Sequence, residues 1–464
     1  MADYTAGHVS RPQARRPFPG HNAQPTDAGT SHLRNGYIVR RVAWSPADMG
    51  DNPVSTTVRG IRRLAVAKQH LAGKVPEKGT KDDVIDVVRD LAFVQWDPVA
   101  VVAPSHIISL WNRVGAFSLS DLDSMLWNER TLLLHWTPVA SIVLSEDYPI
   151  YCSLMERYPD SLSHSWGAHR DRAKEFLARN KELKRDVLRD LEGGPLVLEE
   201  FRRYVRTGRS ADGWSTENAV SQMLFHLMMQ GRVMVVGRRG NQNVWGLAER
   251  FLPGWVDREP LGWEEMERRT AERAIRGMGT ATPSEIHFYF VRGRYQNLKK
   301  ALQALEEDAA ITRVEVRGSK EKEVRYVHRK DVPLLESVEA DGWQPRVALL
   351  SPFDNLICGR TRTRTVFDFD YVHEQFVPKD KRKYGTYVVP ILAGERLVGR
   401  MDPRLDKAER TLFVNSVHAE PGAQVGREVV QEIAGTIERL ASFVGAKGVE
   451  YSPKVPEAWR GALR

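Results

Sequence analysis

The sequence predicts an α+β fold, helical toward the front and β-rich toward the back. Three observations predict it. A helix–helix–hairpin pattern occurs twice between residues 191 and 345. Short β-prone runs separated by turn residues take over after residue 346. One long amphipathic segment, at about 427–444, closes the chain.

Residues 1–56 are rich in Gly, Pro, Ser, Thr and Asn and show no periodicity, so a disordered arm is expected there. Met49 near its end leaves open a true start downstream of Met1. Periodic structure begins near Val58, where Ile61, Leu64 and Ala65 mark a first helix. A second helix runs over 81–91 with Val84, Ile85 and Val88 as its apolar face. Pro98 ends the segment Phe93-Val94-Gln95-Trp96-Asp97 and biases Asp97 toward extended backbone. A third helical stretch covers about 105–114.

The first patterned unit has a short helix from about 196 to 205. A helix over 216–230 follows, with Val220, Met223, Leu224 and Leu227 on one face. A strand over 233–236, a turn over 237–241 and a returning strand over 244–247 complete it. In the second unit Thr282 can cap, Pro283 suits the first helical position and Glu285 closes a capping box. A helix with Leu298, Ala301, Leu302 and Leu305 comes next. Val314 and Val316, a turn at 318–320, then Val324, Tyr326 and His328 alternate as a hairpin does. Helix, helix, hairpin is the order of a winged helix. These two units plus the helical opening at 58–115 predict tandem winged helices. Beyond them, β-prone runs are expected at 347–350, 365–371, 387–392, 397–401 and 412–417. The closing helix carries Val429, Val430, Ile433, Ile437 and Leu440 at three- and four-residue spacing.

Composition excludes several functions. No run of 18 apolar residues exists, so no bilayer-spanning helix is expected. The first 48 residues hold no signal-type apolar core. Two cysteines, Cys152 and Cys358, cannot make a disulfide framework or a cysteine zinc site, and they fit a reducing cytosol. HExxH, Walker A, G-x-G-x-x-G and G-x-S-x-G patterns are all missing. A cytoplasmic protein without metal or cofactor is expected.

Net charge is +8, and the excess is clustered. Arg238 and Arg239 fall at the tip of the first wing, Lys320 and Lys322 at the tip of the second. Arg360, Arg362 and Arg364 alternate with threonines. Lys379, Lys381, Arg382 and Lys383 precede Tyr384, which could pack on a sugar or base. Each cluster alone reads as a solvated turn. Four of them on winged helices point to DNA. Among the carboxylates, Asp82, Asp83, Asp86 and Asp90 read as a solvated helix face, and Asp354 and Asp402 as turn caps. His135 beside Trp136 reads as a core histidine. Gln95 and Asp97 occupy alternate positions of an extended segment and so share a side. An amide and a carboxylate so placed can hold one water; the spacing fits two surface polar residues as well.

At these residues the chain resembles the AlkZ/YcaQ-like bacterial DNA glycosylases. It is most similar to the YcaQ branch, which carries Gln-x-Asp where the AlkZ branch carries Gln-x-Gln. Here the motif is Gln95-Trp96-Asp97. The match continues in Leu350-Ser351-Pro352-Phe353-Asp354, Phe367-Asp368-Phe369-Asp370-Tyr371, Lys383-Tyr384-Gly385 and Leu397-Val398-Gly399-Arg400-Met401-Asp402, and spans about residues 58–450. Three departures stand out. The YcaQ-type Trp-Ala-His-Glu-Ala stretch corresponds to the region His135-Trp136-Thr137-Pro138-Val139-Ala140, so no site His is carried over. Asn355 follows Asp354 in place of Pro, and Gly359 replaces an Asp before Arg360.

The resemblance implies three tandem winged helices, at 57–190, 191–262 and 263–345. It adds a C-terminal β module at 346–464 and a C shape around double-stranded DNA. It implies excision of N-alkylated purines and unhooking of interstrand crosslinks, with Gln95 and Asp97 as the catalytic pair and no cofactor. The chain is expected to act as a monomer, because three motifs in tandem need no partner. The DNA-binding residues expected from the clusters are Arg238, Arg239, Arg360, Arg362, Lys381, Arg382, Lys383 and Tyr384. Two alternatives remain at this point: a non-catalytic winged-helix regulator, and a self-resistance glycosylase for one bulky natural-product adduct.

Overall fold

A computed structural model describes residues 53–137, 139–163, 167–201, 216–319 and 323–463. Most of the arm, the second-wing lysines Lys320 and Lys322, and the stretch around Val205 lie outside the described residues. The fold is α+β. Among the described residues no helix is long and apolar enough to cross a membrane.

One connectivity occurs three times. The first occurrence is the helix Lys81–Leu91, the strand Val94–Gln95, the helix Ser105–Val114, helical turns over Leu119–Asp123 and Ser124–Asn128, and a hairpin of Leu132–Trp136 with Ala140–Leu144. The second uses Lys181–Glu192, Leu196–Val197, Thr216–Met229, Val233–Arg239 and Gln242–Leu247. The third uses Trp263–Met278, Thr280–Ala281, Pro283–Tyr289, Leu298–Glu307, Ile311–Arg317 and Arg325–His328. Each time the short strand pairs antiparallel with the second hairpin strand, through Val94 and Ile142, Leu196 and Trp245, and Thr280 and Val327. The starts of the helices explain themselves locally. Thr80 with Asp83, and Thr282 with Glu285, form reciprocal capping boxes.

Two expectations about the front of the chain need correction. Val54–Thr57 is a strand, parallel to Ile311–Arg317, so the expected arm does not extend to residue 56. The Glu339 carboxylate accepts hydrogen bonds from the Thr56 and Thr57 hydroxyls at 2.8 and 3.0 Å and fixes this strand. The helix Val58–Lys68 does not open the first unit. Its Leu64 packs with Leu335 and Val338 of the helix Val332–Glu339, beside the third hairpin. The helix Lys181–Glu192 likewise crosses the expected 190/191 boundary, because Val187 and Leu191 share a core with Phe201, Val220 and Leu224.

The back is a five-stranded sheet in the order Val347–Leu349, Val389–Ala393, Arg396–Asp406, Thr411–Ala419, Gly448–Tyr451. Four strands are antiparallel; the last runs parallel to its neighbour after the crossover helix Arg427–Phe443. The β run expected at 365–371 is wrong in kind. Arg360–Phe367 is a helix that stops at Asp368, whose φ of 53° is left-handed. The Arg-Thr alternation mimics a strand, yet Arg362, Thr363, Val366 and Phe367 are the buried side, at helical spacing.

First unit and sheet are one body. Leu91, Val94 and Ile142 share a core with Leu349, Ile391, Val414 and Ile437. The Asn112 amide donates to the Leu349 carbonyl at 2.6 Å, and its carbonyl oxygen accepts from the Leu349 N–H at 3.1 Å, completing the edge strand. Arg113 donates twice to Asp354, at 2.7 and 2.8 Å, with both side chains fully buried. Asp354 is thus more than the turn cap expected, although it also accepts from the Leu356 N–H.

Candidate active site

Gln95 and Asp97 lie at the end of the short strand of the first unit. The Trp96 N–H donates to the Ala140 carbonyl and carries the pairing one residue further. The Ser105 N–H, at the start of the following helix, donates to the Asp97 carbonyl at 3.2 Å. The Ser105 hydroxyl is 2.6 Å from that of Ser351 in the β module. The backbone of the motif is therefore held from both sides.

Asp97 is half-buried, and the Val99 N–H donates to its Oδ1 at 2.8 Å. Burial raises its pKa above the ordinary carboxylate value, with that single N–H opposing. No described side chain hydrogen-bonds the amide of Gln95, which is also half-buried. A carboxylate held by one N–H, with an amide two residues away, leaves acceptor and donor capacity for water or substrate.

Trp96, between the two, lies flat on the buried His106 ring, with centroids 4.0 Å apart and planes at 14°. Burial pushes His106 down to about 3, so it stays neutral. Arg238, from the second hairpin, places its guanidinium 5.8 Å from the Trp96 ring centroid. Of the expected DNA contacts, Arg238 is the one brought to the motif, with a hydrogen bond to Asn243 as well. Sequence spacing carried no signal for this column of Arg238, Trp96 and His106.

The β module supplies the opposite side. Tyr387 is buried with its hydroxyl unpartnered, and the Asp97 charge adds to burial in raising its pKa. Its loop is clamped by two carboxylates. Asp402 accepts from the Thr386 and Tyr387 N–H groups at 3.1 and 2.9 Å. Glu374 accepts from the N–H groups of Lys383, Tyr384 and Gly385. Gly385 has φ of 150°, and a Cβ there would meet Asp402. The expected turn cap at Asp402 is real, but it caps a loop some fifteen residues away, a relation spacing cannot reveal.

Several expected DNA contacts face inward. Arg362 is buried; it donates to Glu285 at 2.8 Å and to the Met278 carbonyl at 2.9 Å. Arg360 donates to the carbonyls of Ile357 and Pro352 and lies over the Tyr371 ring. Arg382 braces its own loop through Val377, Gln375 and Thr386. One face of the half-buried Tyr384 ring is covered by Arg400 at 4.2 Å. Arg239 is exposed and pairs with Glu200. Lys379, Lys381 and Lys383 are exposed. His135 is buried, tilted on Tyr151 at 4.6 Å, and burial with the Arg294 charge pushes it down to about 3. Asp90, expected on a solvated face, is half-buried against His70 at 2.7 Å. Among the described residues no three His, Cys, Asp or Glu side chains converge as a metal site would require.

The solved structure of the Streptomyces sahachiroi DNA glycosylase AlkZ superposes with a TM-score of 0.61. It is 18% identical and covers 86% of this chain and 100% of its own. The family model described as DNA glycosylase AlkZ-like matches residues 88–443, which include the Gln95–Asp97 motif, the helix Arg360–Phe367 and the clamped loop. The chain belongs to the AlkZ-like DNA glycosylase family.

Proposed function

We propose that this DNA glycosylase is monofunctional, hydrolysing the N-glycosidic bond of N-alkylated purines and unhooking N7-guanine crosslinks. One observation carries the reading: a half-buried carboxylate, raised by burial and held by one N–H, with the neighbouring His106 kept neutral by burial. N7 or N3 alkylation makes the purine cationic, so it leaves as a neutral base without being protonated. What remains is to stabilise an oxocarbenium-like sugar and direct a water to C1′. Asp97 supplies negative charge and accepts the water proton, and Gln95 orients that water. The C1′–N bond electrons go to the base, and the water oxygen completes the abasic sugar.

His106, His135 and His373 are pushed down to about 3, 3 and 4 and cannot protonate a neutral leaving base near pH 7. The substrates are therefore cationic alkylpurines in double-stranded DNA, with uracil, 8-oxoguanine and ethenoadenine left intact. A base tethered to the opposite strand is not extruded in the usual way, and a site shared by several modules suits it. No lysine adjoins the pair in sequence to form a Schiff base, which favours hydrolysis over lyase chemistry.

The test is incubation with duplexes carrying N7-methylguanine or a defined N7-guanine crosslink, followed by alkali to reveal abasic sites. Release of alkylguanine with no borohydride-trapped adduct is expected. Efficient release of uracil or ethenoadenine would contradict the reading.

A further inference from the structure

We propose that Phe376 enters the base stack of the bound duplex beside the lesion, with Lys379, Lys381 and Lys383 on the flanking phosphates. The partner is the duplex of the function proposed above, so this inference rests on that reading. Six large apolar side chains are more than a third exposed among the described residues, and two of them share one loop: Val372 at 56% and Phe376 at 55%. A lone exposed apolar residue is ordinary. Two on one loop, followed within eleven residues by three exposed lysines, are not.

The loop is built to hold its shape. Buried Glu374 accepts three backbone N–H groups from residues 383–385. Arg382 returns to the Gln375 and Val377 carbonyls and to the Thr386 hydroxyl. Under Phe376 sits buried His373, edge-on at 5.2 Å; His373 also meets Phe353 at 4.9 Å and Tyr387 at 6.2 Å. Phe376 is thus an exposed ring on a rigid base, so its binding carries little ordering cost.

Position completes the argument. Through His373 and Tyr387 the loop reaches the surroundings of Asp97. Access to C1′ requires the lesion to leave the stack at least in part, and an apolar wedge stabilises such an opening. For a crosslinked base, which cannot swing out fully, a wedge that parts the neighbouring step is the more useful device. The lysines supply the charge complement of the phosphates on either side.

The experiment reads stack opening directly. A duplex carries N7-methylguanine with 2-aminopurine as the neighbouring base and is titrated with full-length protein bearing Asp97→Asn, so that no turnover is needed. Fluorescence enhancement on binding is expected. Adding Phe376→Ala should abolish it, and Phe376→Trp should restore it. In the otherwise wild-type protein Phe376→Ala should slow single-turnover excision about ten- to a hundredfold, the worth of one base-stacking contact. Leu334→Ala, at another exposed apolar position, serves as control and should change neither reading. Enhancement that survives Phe376→Ala overturns the proposal. So does failure of Phe376→Trp to restore it. So does loss of a wild-type dimer in light scattering while fluorescence is unchanged, since the patch would then join two copies of the chain. If the wild-type protein releases no alkylpurine yet the fluorescence pattern holds, the wedge stands and the substrate reading fails.

Discussion

Asp97 shows how one side chain acquires a function from its surroundings. In water it would be an ordinary carboxylate; burial raises its pKa, and only the Val99 N–H opposes. Asp97→Asn is expected to cut single-turnover excision by about 10²–10⁴, the range for a positioned acid or base, with DNA affinity unchanged. Excision within threefold of wild type would remove Asp97 from the mechanism. Gln95→Ala should cost less, because it only orients the water. The deprotonated form is active, so the rate should fall as pH drops through the raised Asp97 pKa. With His106 and His135 neutral from about 3 upward, no basic limb is expected in the pH–rate profile. Arg113 and Asp354 work differently. Their doubly hydrogen-bonded, fully buried pair couples the first unit to the β module. Arg113→Met leaves a buried carboxylate without its counter-ion and should cost about 3–5 kcal/mol in chemical denaturation. An unmoved denaturation midpoint would show that Asp354 finds another partner.

At the scale of elements, the loop between Tyr371 and Tyr387 separates two kinds of basic residue that look alike in sequence. Lys379, Lys381 and Lys383 are exposed, whereas Arg382 is spent on carbonyls of its own loop. Replacing the three lysines with Ala should weaken binding of lesion and plain duplex alike. The slope of log K against log salt should become shallower by about 0.9 for each lost phosphate contact. An unchanged slope would place the loop away from DNA. The helix Arg360–Phe367 teaches the same lesson. Arg362 reads as a basic surface residue, yet it lies with Arg325 on Glu285, the residue of the third unit's capping box. These two guanidiniums hold the Glu285 pKa down even though burial opposes them. Charge in a sequence gives the number of cations, not the direction in which each one points.

Across the whole molecule several buried histidines are held neutral. Burial pushes His106 and His135 down to about 3, and His226 and His373 to about 4. Below their ordinary value of 6.5 the unfolded chain binds protons that the fold does not, so stability is complete above 6.5 and declines as pH falls. Asp147, raised to about 6 mainly by burial, acts in the opposite sense, as do Asp97, Asp123 and Glu306, which burial also raises; His287 and His418, pushed down by burial, add to the four rings. The thermal midpoint should therefore drop between pH 7 and pH 5; a flat profile would mean that these rings are solvated. Truncation probes the other end of the chain. Residues 1–48 show no apolar periodicity, so their removal should leave the melting midpoint in place. Removal through Thr57 should lower it by several degrees. That cut takes the strand paired with Ile311–Arg317 and its hydroxyl bonds to Glu339.

Local periodicity determined much of this protein. The helices Lys81–Leu91, Ser105–Val114 and Pro283–Tyr289 with its capping box, and the crossover helix within a residue of its end, follow from apolar spacing and cap residues that act over one or two turns. The strands at 347–349, 389–393, 396–406 and 411–419 follow from alternation and turn chemistry. Gln95 and Asp97 were legible as a motif. The strands Val54–Thr57 and Gly448–Tyr451 were not, since each is four residues long and exists because a distant strand pairs with it. The same holds for the surroundings of the motif. Arg238 over Trp96, His106 beneath it and Tyr387 opposite Asp97 come from three separate parts of the chain. Only tertiary packing decides which guanidinium meets water, which meets a buried carboxylate and how far burial raises one aspartate. Each depends on the solvent excluded by residues hundreds of positions away, and no local pattern encodes that.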